Sequence, residues 1–138
     1  MIVADTNVVS QLIRANGSEK VRDWMNANSD DLWTTTITLA ELAYGIELIE
    51  DYDRKMTLTN AVAAFRQQFD RSILEFDIAA ADAHGWLQAK AKRETGHRLP
   101  ELDAQIAAIA MARSASVATR NIRDFLPTGL TLIDPWTT

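Results

Sequence analysis

MIVADTNVVSQLI, residues 1–13, changes its hydrophobic period partway along, and that change decides the fold. Ile2, Val3 and Ala4 form a short apolar run that stops at Asp5. Asp5, Thr6 and Asn7 supply capping groups ahead of Val8, Val9, Leu12 and Ile13, which return at helical spacing. The segment therefore reads strand, turn, helix, with a carboxylate at the junction.

Working outward, the same alternation recurs. Gly17-Ser18 breaks the chain before a helix carrying Val21, Trp24 and Met25 on one face. A predicted strand over 32–35 leads into Leu39, Leu42, Ala43, Ile46 and Ile49 at helical spacing, with Glu41 near that helix's start. Residues 54–69 continue as helix and 73–76 as strand. Asp77 is placed to cap a long helix over 78–94 that Gly96 closes. Asp103 opens or nearly opens a helix of small and apolar residues, and predicted strands follow at 116–119 and 130–133. Strands separated by helices, without two-residue hairpin turns, imply an α/β fold with a mostly parallel sheet and helices on both faces.

At 138 residues the chain has room for one domain, spanning 1–138, with a core large enough to stand alone. No cysteine occurs, which removes disulfides and thiolate ligands and allows a reducing compartment. The opening residues lack the pattern of a signal peptide, and no apolar run reaches membrane-spanning length. The expectation is a soluble, cytoplasmic protein without a membrane partner. None of the five glycines forms a phosphate-binding loop, so nucleotide-dependent switching is not expected.

A net charge of −5 argues against a general nucleic-acid coat protein but not against a nuclease. Basic groups are local: Lys90, Lys92, Arg93 and Arg98 form one set, Arg120 with Arg123 another. Their ordinary role is a solvated helix face and loop. For phosphate contact the candidates are Arg120, Arg123, Lys92 and Arg98. Trp24, Trp33, Trp86 and Trp136 offer stacking surfaces, though core or interface packing explains most tryptophans equally well.

Four acids carry the chemistry: Asp5, Glu41, Asp103 and Asp124 each sit where an element should begin or end. In an open parallel sheet, ligands collect beyond the carboxyl ends of the strands. Carboxylates brought there suit a hard divalent cation, and without one they repel each other. Each acid also has a plain structural reading. Asp5 and Asp103 would serve as helix caps, Glu41 as a favourable charge near a helix start, and Asp124 as a surface turn residue. Thr6, Asn7, Thr119 and Asn121 are placed to orient the carboxylates or a bound water. His84 lies within a helix among apolar neighbours and His97 in a turn, and no Ser-His-Asp arrangement is supported.

IVADTNVVS, TTITLAELAYGI, LDAQIAAIA and ATRNIRDF, in that order and closed by LTLIDPW, resemble the PIN-domain ribonucleases, specifically the VapC toxins and their FitB-like relatives. The resemblance spans essentially the whole chain. It implies a three-layer α/β/α sandwich with about five mostly parallel strands, and Asp5, Glu41, Asp103 and Asp124 as the acidic quartet. For phosphodiester hydrolysis the expected metal is magnesium, or manganese in its place, with Asp5 and Asp103 as the chosen innermost ligands and Glu41 and Asp124 completing the site or holding waters and a second ion. The implied activity is endonucleolytic RNA hydrolysis leaving a 5′-phosphate and a 3′-hydroxyl, with transfer RNA among the candidate substrates. The implied partners are a second copy in a homodimer and a VapB-like antitoxin whose far end contacts operator DNA. A structure-selective DNA nuclease and a catalytically silent RNA- or protein-binding relative are the alternatives. Glu101, two residues before Asp103, and Asp134, where Asn before Pro-Trp is frequent, depart from the commonest form. Glu101 has two readings, an extra metal contact or a solvated surface acid.

Overall fold

The period change at Asp5 is a strand-to-helix junction: β1 (Ile2–Ala4) passes through Asp5 directly into α1 (Thr6–Ile13). A computed structural model covering residues 1–138 continues with α2 (Glu19–Ala27), a 3-10 turn (Ser29–Asp31), β2 (Leu32–Thr35), α3 (Thr36–Glu47) and α4 (Tyr52–Gln68). Next come β3 (Ile73–Leu74), α5 (Ile78–Thr95), α6 (Glu101–Ala112), β4 (Ser116–Ala118), α7 (Ile122–Phe125), a second 3-10 turn (Leu126–Thr128) and β5 (Leu132–Ile133).

The strands form one sheet in the order β3-β2-β1-β4-β5, and every adjacent pair is parallel. β1 is central, with Val3 opposite Trp33 on one side and Val117 on the other. Alternation along a strand sends successive side chains to opposite faces. Val3 and Val117 accordingly join a core with Leu87, Ile106, Ile109 and Phe125, beneath α5 and α6. Ala4 and Ala118 join the other core, with Val8, Val9, Val21 and Phe65 from α1, α2 and α4. Two cores on two faces of one sheet make the three-layer α/β/α sandwich that the sequence pattern implied.

Local chemistry sets the helix ends. Ser18 caps α2 by accepting from the Val21 N–H, Thr35 caps α3 through the Thr38 N–H, and Asp77 caps α5 through the Ala80 N–H. Gly96 closes α5 at φ 81°, a conformation that glycine adopts without a Cβ penalty. Between α1 and α2 the chain turns tightly. Arg22 donates to the Gln11 carbonyl at 2.7 Å and to the Arg14 carbonyl, while Gln11 Oε1 accepts from the Ser18 N–H. A side chain at Gly17 would run into the Gln11 carbonyl oxygen.

Several boundaries differ from expectation for visible reasons. α3 stops at Glu47, so Ile49 lies beyond it, its N–H turning back to the Ile46 carbonyl. β3 is only two residues long, and Phe76 is exposed. β5 begins at Leu132 because Gly129 takes a left-handed turn and the Leu130 N–H is held by Thr128 Oγ1. α7 was not anticipated: Asp124 stands in a one-turn helix rather than a loop.

Candidate active site

Asp5 leaves β1 at the carboxyl edge of the sheet and is almost fully buried, 3 % exposed. Its Oδ1 accepts the Thr6 N–H at 2.7 Å, so it does cap α1. Its Oδ2 accepts from Thr119 Oγ1 at 2.9 Å and Asn7 Nδ2 at 3.1 Å. Burial pushes the Asp5 carboxyl above its ordinary pKa, against the pull of the Thr119, Thr6 and Asn7 hydrogen bonds, and the Glu41 charge pushes it further up.

The neighbours are themselves held. Thr119 Oγ1 accepts from the Asn121 N–H at 2.9 Å, and Asn7 Oδ1 accepts from the Arg120 N–H at 3.3 Å. Thr6 Oγ1 donates to Glu41 Oε1 at 2.7 Å and sits 3.1 Å from Thr38 Oγ1. A hydroxyl has one proton, so with that proton on Glu41, Thr6 accepts from Thr38. Of the four supporting residues expected, Thr6, Asn7 and Thr119 place side chains on the acids. Asn121 contributes its backbone N–H.

Glu41 is the sixth residue of α3, not in its first turn as the sequence suggested. The helix begins directly after β2, at Thr36, and so starts earlier than the apolar spacing from Leu39 indicates. Asp103 is the third residue of α6, where Pro100 occupies the cap position; the capping role open to Asp103 is therefore not the one it has. It is half-buried and its carboxyl makes no hydrogen bond. Burial first, then the charges of Asp5, Asp124 and Glu41, push its pKa up to about 6. Asp103 thus feels the charge of each of the other three acids, and Asp5 that of Glu41; Asp124 is exposed on α7.

No group of three or more His, Asp or Glu side chains is already gathered as a metal site. The donor chemistry nevertheless fits a hard divalent cation. Every candidate is a carboxylate, and Asp103 carries a repulsion that a cation would relieve. Asp5 and Asp103 both have carboxyls raised above their ordinary pKa, first by burial and then by neighbouring acids.

Around the acids, Arg98 and Arg123 line a cavity of about 420 Å3 with Asp124. Arg120 lies over the Trp136 ring at 5.2 Å. Lys92 is turned toward its own helix end, donating to the Gly96 carbonyl at 2.9 Å. Glu101 is occupied: it meets His84 Nε2 at 2.8 Å and accepts from Arg98 at 3.0 Å and Gln105 at 3.1 Å. The Gln105 hydrogen bond leads the lowering of its pKa, helped by His84 and Arg98. Asp134 accepts the Trp136 N–H at 2.9 Å and shapes the tail turn. Sequence reasoning missed Gln88. Buried in α5, it grips both backbone groups of Leu99, donating to its carbonyl at 3.1 Å and accepting its N–H at 2.7 Å, and so fixes the approach to α6.

Comparison with known proteins matches the chain along nearly its whole length. A family profile described as "PIN domain" matches residues 2–126. The chain is 38 % identical over 138 residues to the plasmid stability protein StbB of Pseudomonas syringae pv. tomato, covering 99 % of each. It is 34 % identical over 138 residues to the VapC ribonuclease Y4jK of Sinorhizobium fredii, covering 99 % of this chain and 98 % of that one. The crystal structure of FitAcB from Neisseria gonorrhoeae superposes with a TM-score of 0.91 at 31 % identity, covering 100 % of both chains.

Proposed function

The chain belongs to the PIN-domain family of VapC- and FitB-type toxins, and from that membership we propose that it is a magnesium-dependent endoribonuclease neutralised by a VapB-like antitoxin. The observation that carries the reading is Asp103. A half-buried carboxyl with no hydrogen bond, pushed up to about 6 by its burial and three acids, is unfavourable as folded and favourable as a cation ligand.

Asp5 and Asp103 would hold magnesium, or manganese in its place, with Glu41 and Asp124 completing the site or holding its waters. When bound, the cation supplies Lewis acidity toward the scissile phosphate and toward an attacking water. The chain's own residues do the positioning. Thr119 and Asn7 fix the Asp5 carboxylate in one rotamer, and the Thr38–Thr6 pair fixes Glu41. Arg120, Arg98 and Arg123 supply positive charge for the substrate backbone, with Lys92 nearby on α5. Cleavage would leave a 5′-phosphate and a 3′-hydroxyl. Transfer RNA is the first substrate to screen.

The antitoxin reading has a local support. Exposed Tyr44 and Leu102 line a cavity of about 320 Å3 together with Ala40 and Glu41, so an apolar rim borders the acids. A peptide seated there would reach the crevice. The copy-to-copy homodimer is a further expectation, checked by sedimentation of the toxin alone and with its antitoxin.

The decisive experiment sequences RNA ends from cells expressing the wild type or Asp5→Asn, and then titrates magnesium against the purified proteins on the cleaved RNA. Cuts confined to the wild type and abolished by chelator are expected. Equal cutting by both folded proteins, or cutting undiminished in chelator, would overturn the reading.

A further inference from the structure

Two arginines that the acid site does not explain stand together beside Glu41. Arg14 is the C-cap of α1, with its carbonyl held by Arg22, and Arg54 lies in the first turn of α4. Both line a cavity of about 460 Å3 with Asn16 and Thr57. Both also stand at an adjoining cavity of about 280 Å3 that Ser10 and Glu41 share and whose other walls are mainly apolar, from Ile13, Leu42, Ile46, Ile49, Leu58 and Val62. The ion pairs of the protein are Lys55–Glu47, His84–Glu101, Lys90–Glu94, Arg98–Glu101 and Arg113–Asp77, so neither guanidinium has a carboxylate partner. Most arginines of the chain likewise lack an ion pair; what sets Arg14 and Arg54 apart is that they line the same two cavities, which leaves two positive groups on one wall for an anion from outside.

The sheet order shows where that anion would run. β2 and β4 flank β1 on its two sides. Asp5 follows β1, Glu41 stands in the helix after β2, and Asp124 in the helix after β4. On the β4 flank, Asp124 shares its cavity with Arg98 and Arg123. On the β2 flank, Glu41 shares its cavity with Arg14 and Arg54. Each side of the crevice thus has one acid and one pair of arginines. A single phosphate would need only one pair. A strand carrying phosphates at regular intervals on both sides of the reacting bond needs both.

We propose that Arg14 and Arg54 form a phosphate-binding subsite for RNA flanking the scissile bond on the β2 side, the counterpart of Arg98 and Arg123 on the β4 side. The proposal rests on the nuclease reading above. It identifies which side chains hold the strand on the flank that the sequence left without basic candidates.

The test uses the RNA segment cut by the wild type, as a single-stranded oligoribonucleotide and as versions shortened on one side or the other. The Arg14→Gln/Arg54→Gln double variant should raise KM about tenfold with kcat unchanged, the signature of lost uniform binding. The slope of log affinity against log salt should fall by about 1.4, for two contacts to single-stranded phosphate. Lysine at both positions should restore most of that slope. The KM effect should vanish on RNA shortened on one side, whereas the effect of Arg98→Gln/Arg123→Gln should vanish on RNA shortened on the other.

Unchanged KM and salt slope would overturn the subsite. So would a KM rise that persists on every shortened RNA, which marks a structural effect, or a defect confined to protection by the antitoxin, which assigns the groove to that protein. A wild type that cleaves no RNA overturns the nuclease reading and the subsite together. A wild type that cleaves while the variant matches it overturns the subsite alone.

Discussion

Asp5 and Asp103 share one crevice and one charge, yet their surroundings are opposite. At the end of β1, Asp5 is nearly buried and both of its oxygens are engaged, by Thr6, Asn7 and Thr119. At the start of α6, Asp103 is half-buried, makes no hydrogen bond and faces three other acids. The first region fixes a carboxylate by giving it donors. The second holds one in place through the backbone of a helix buried nearly all round, at Ala104, Ile106, Ala107, Ala108, Ile109 and Ala110. A rigid frame can keep an unpaired acid where solution chemistry would disperse it, and that stored repulsion is what a cation can release.

The largest effect expected from the contrast is one of likeness. Asp5→Asn and Asp103→Asn should each lower RNA cleavage roughly hundredfold or more, because each removes a charge that binds the cation. Initial rates on the mapped RNA at saturating magnesium check this. Near-normal cleavage by either folded variant would break the pairing of the two acids.

Stability should separate what activity joins. Burial and the neighbouring acids push the Asp103 carboxyl up to about 6 in the folded protein, from 3.8 for an ordinary aspartate. A raised carboxyl contributes stability that is present below the lower value and lost as pH rises through the higher one. Metal-free protein should therefore melt at a higher temperature in mild acid than at neutral pH. Asp103→Asn should raise the neutral Tm in chelator and flatten that pH dependence, and magnesium should raise the Tm of the wild type more than that of the variant. Asp5→Asn should not share the gain, since an amide at Oδ2 would face the Thr119 and Asn7 donors. Thermal melts across pH, with and without magnesium, distinguish the two.

The contrast also marks how far sequence carries. The β1–α1 junction, the Asp77 cap and the Gly96 stop were legible because each is a local signal written in neighbouring residues. The central sheet was legible from its apolar runs. The turn of α3 holding Glu41 was not, since Thr36 and Ile37 gave no apolar spacing from which to count. The one-turn α7 is too short for any periodicity. The Gln88 grip on Leu99 and the sharing of one cavity by Arg14 and Arg54 are products of tertiary packing across distant segments, and no spacing in the chain announces them. Sequence therefore singled out the acids as candidates but not which of them is held by donors and which by its frame.

Thr119→Val probes the donor side more gently. The hydroxyl is fully buried, donates to Asp5 and accepts from the Asn121 N–H, and valine keeps its shape. Losing a buried hydrogen bond to a charged group should cost about 2 kcal/mol of stability, read by urea denaturation. Cleavage should fall about tenfold, less than on removing Asp5 itself. A loss as large as that of Asp5→Asn would make Thr119 part of the reaction rather than a support for it.

The smallest effect should come from Glu101, the extra acid two residues before Asp103. Its position in sequence invites a role as a fifth ligand, but its carboxylate is committed to Gln105, His84 and Arg98. The shifts make the same point with opposite signs: hydrogen bonds and basic neighbours lower the Glu101 pKa, while burial and acids raise that of Asp103. Glu101→Gln keeps the size and one acceptor oxygen while removing the charge. Exposed pairs contribute little, so the Tm should move only slightly and cleavage should stay within about threefold of wild type. Magnesium titrations of the two variants, followed by the rise in Tm, decide the point. A metal response weakened in Glu101→Gln as strongly as in Asp103→Asn would place both acids on the cation; a response retained in Glu101→Gln leaves Glu101 outside the site.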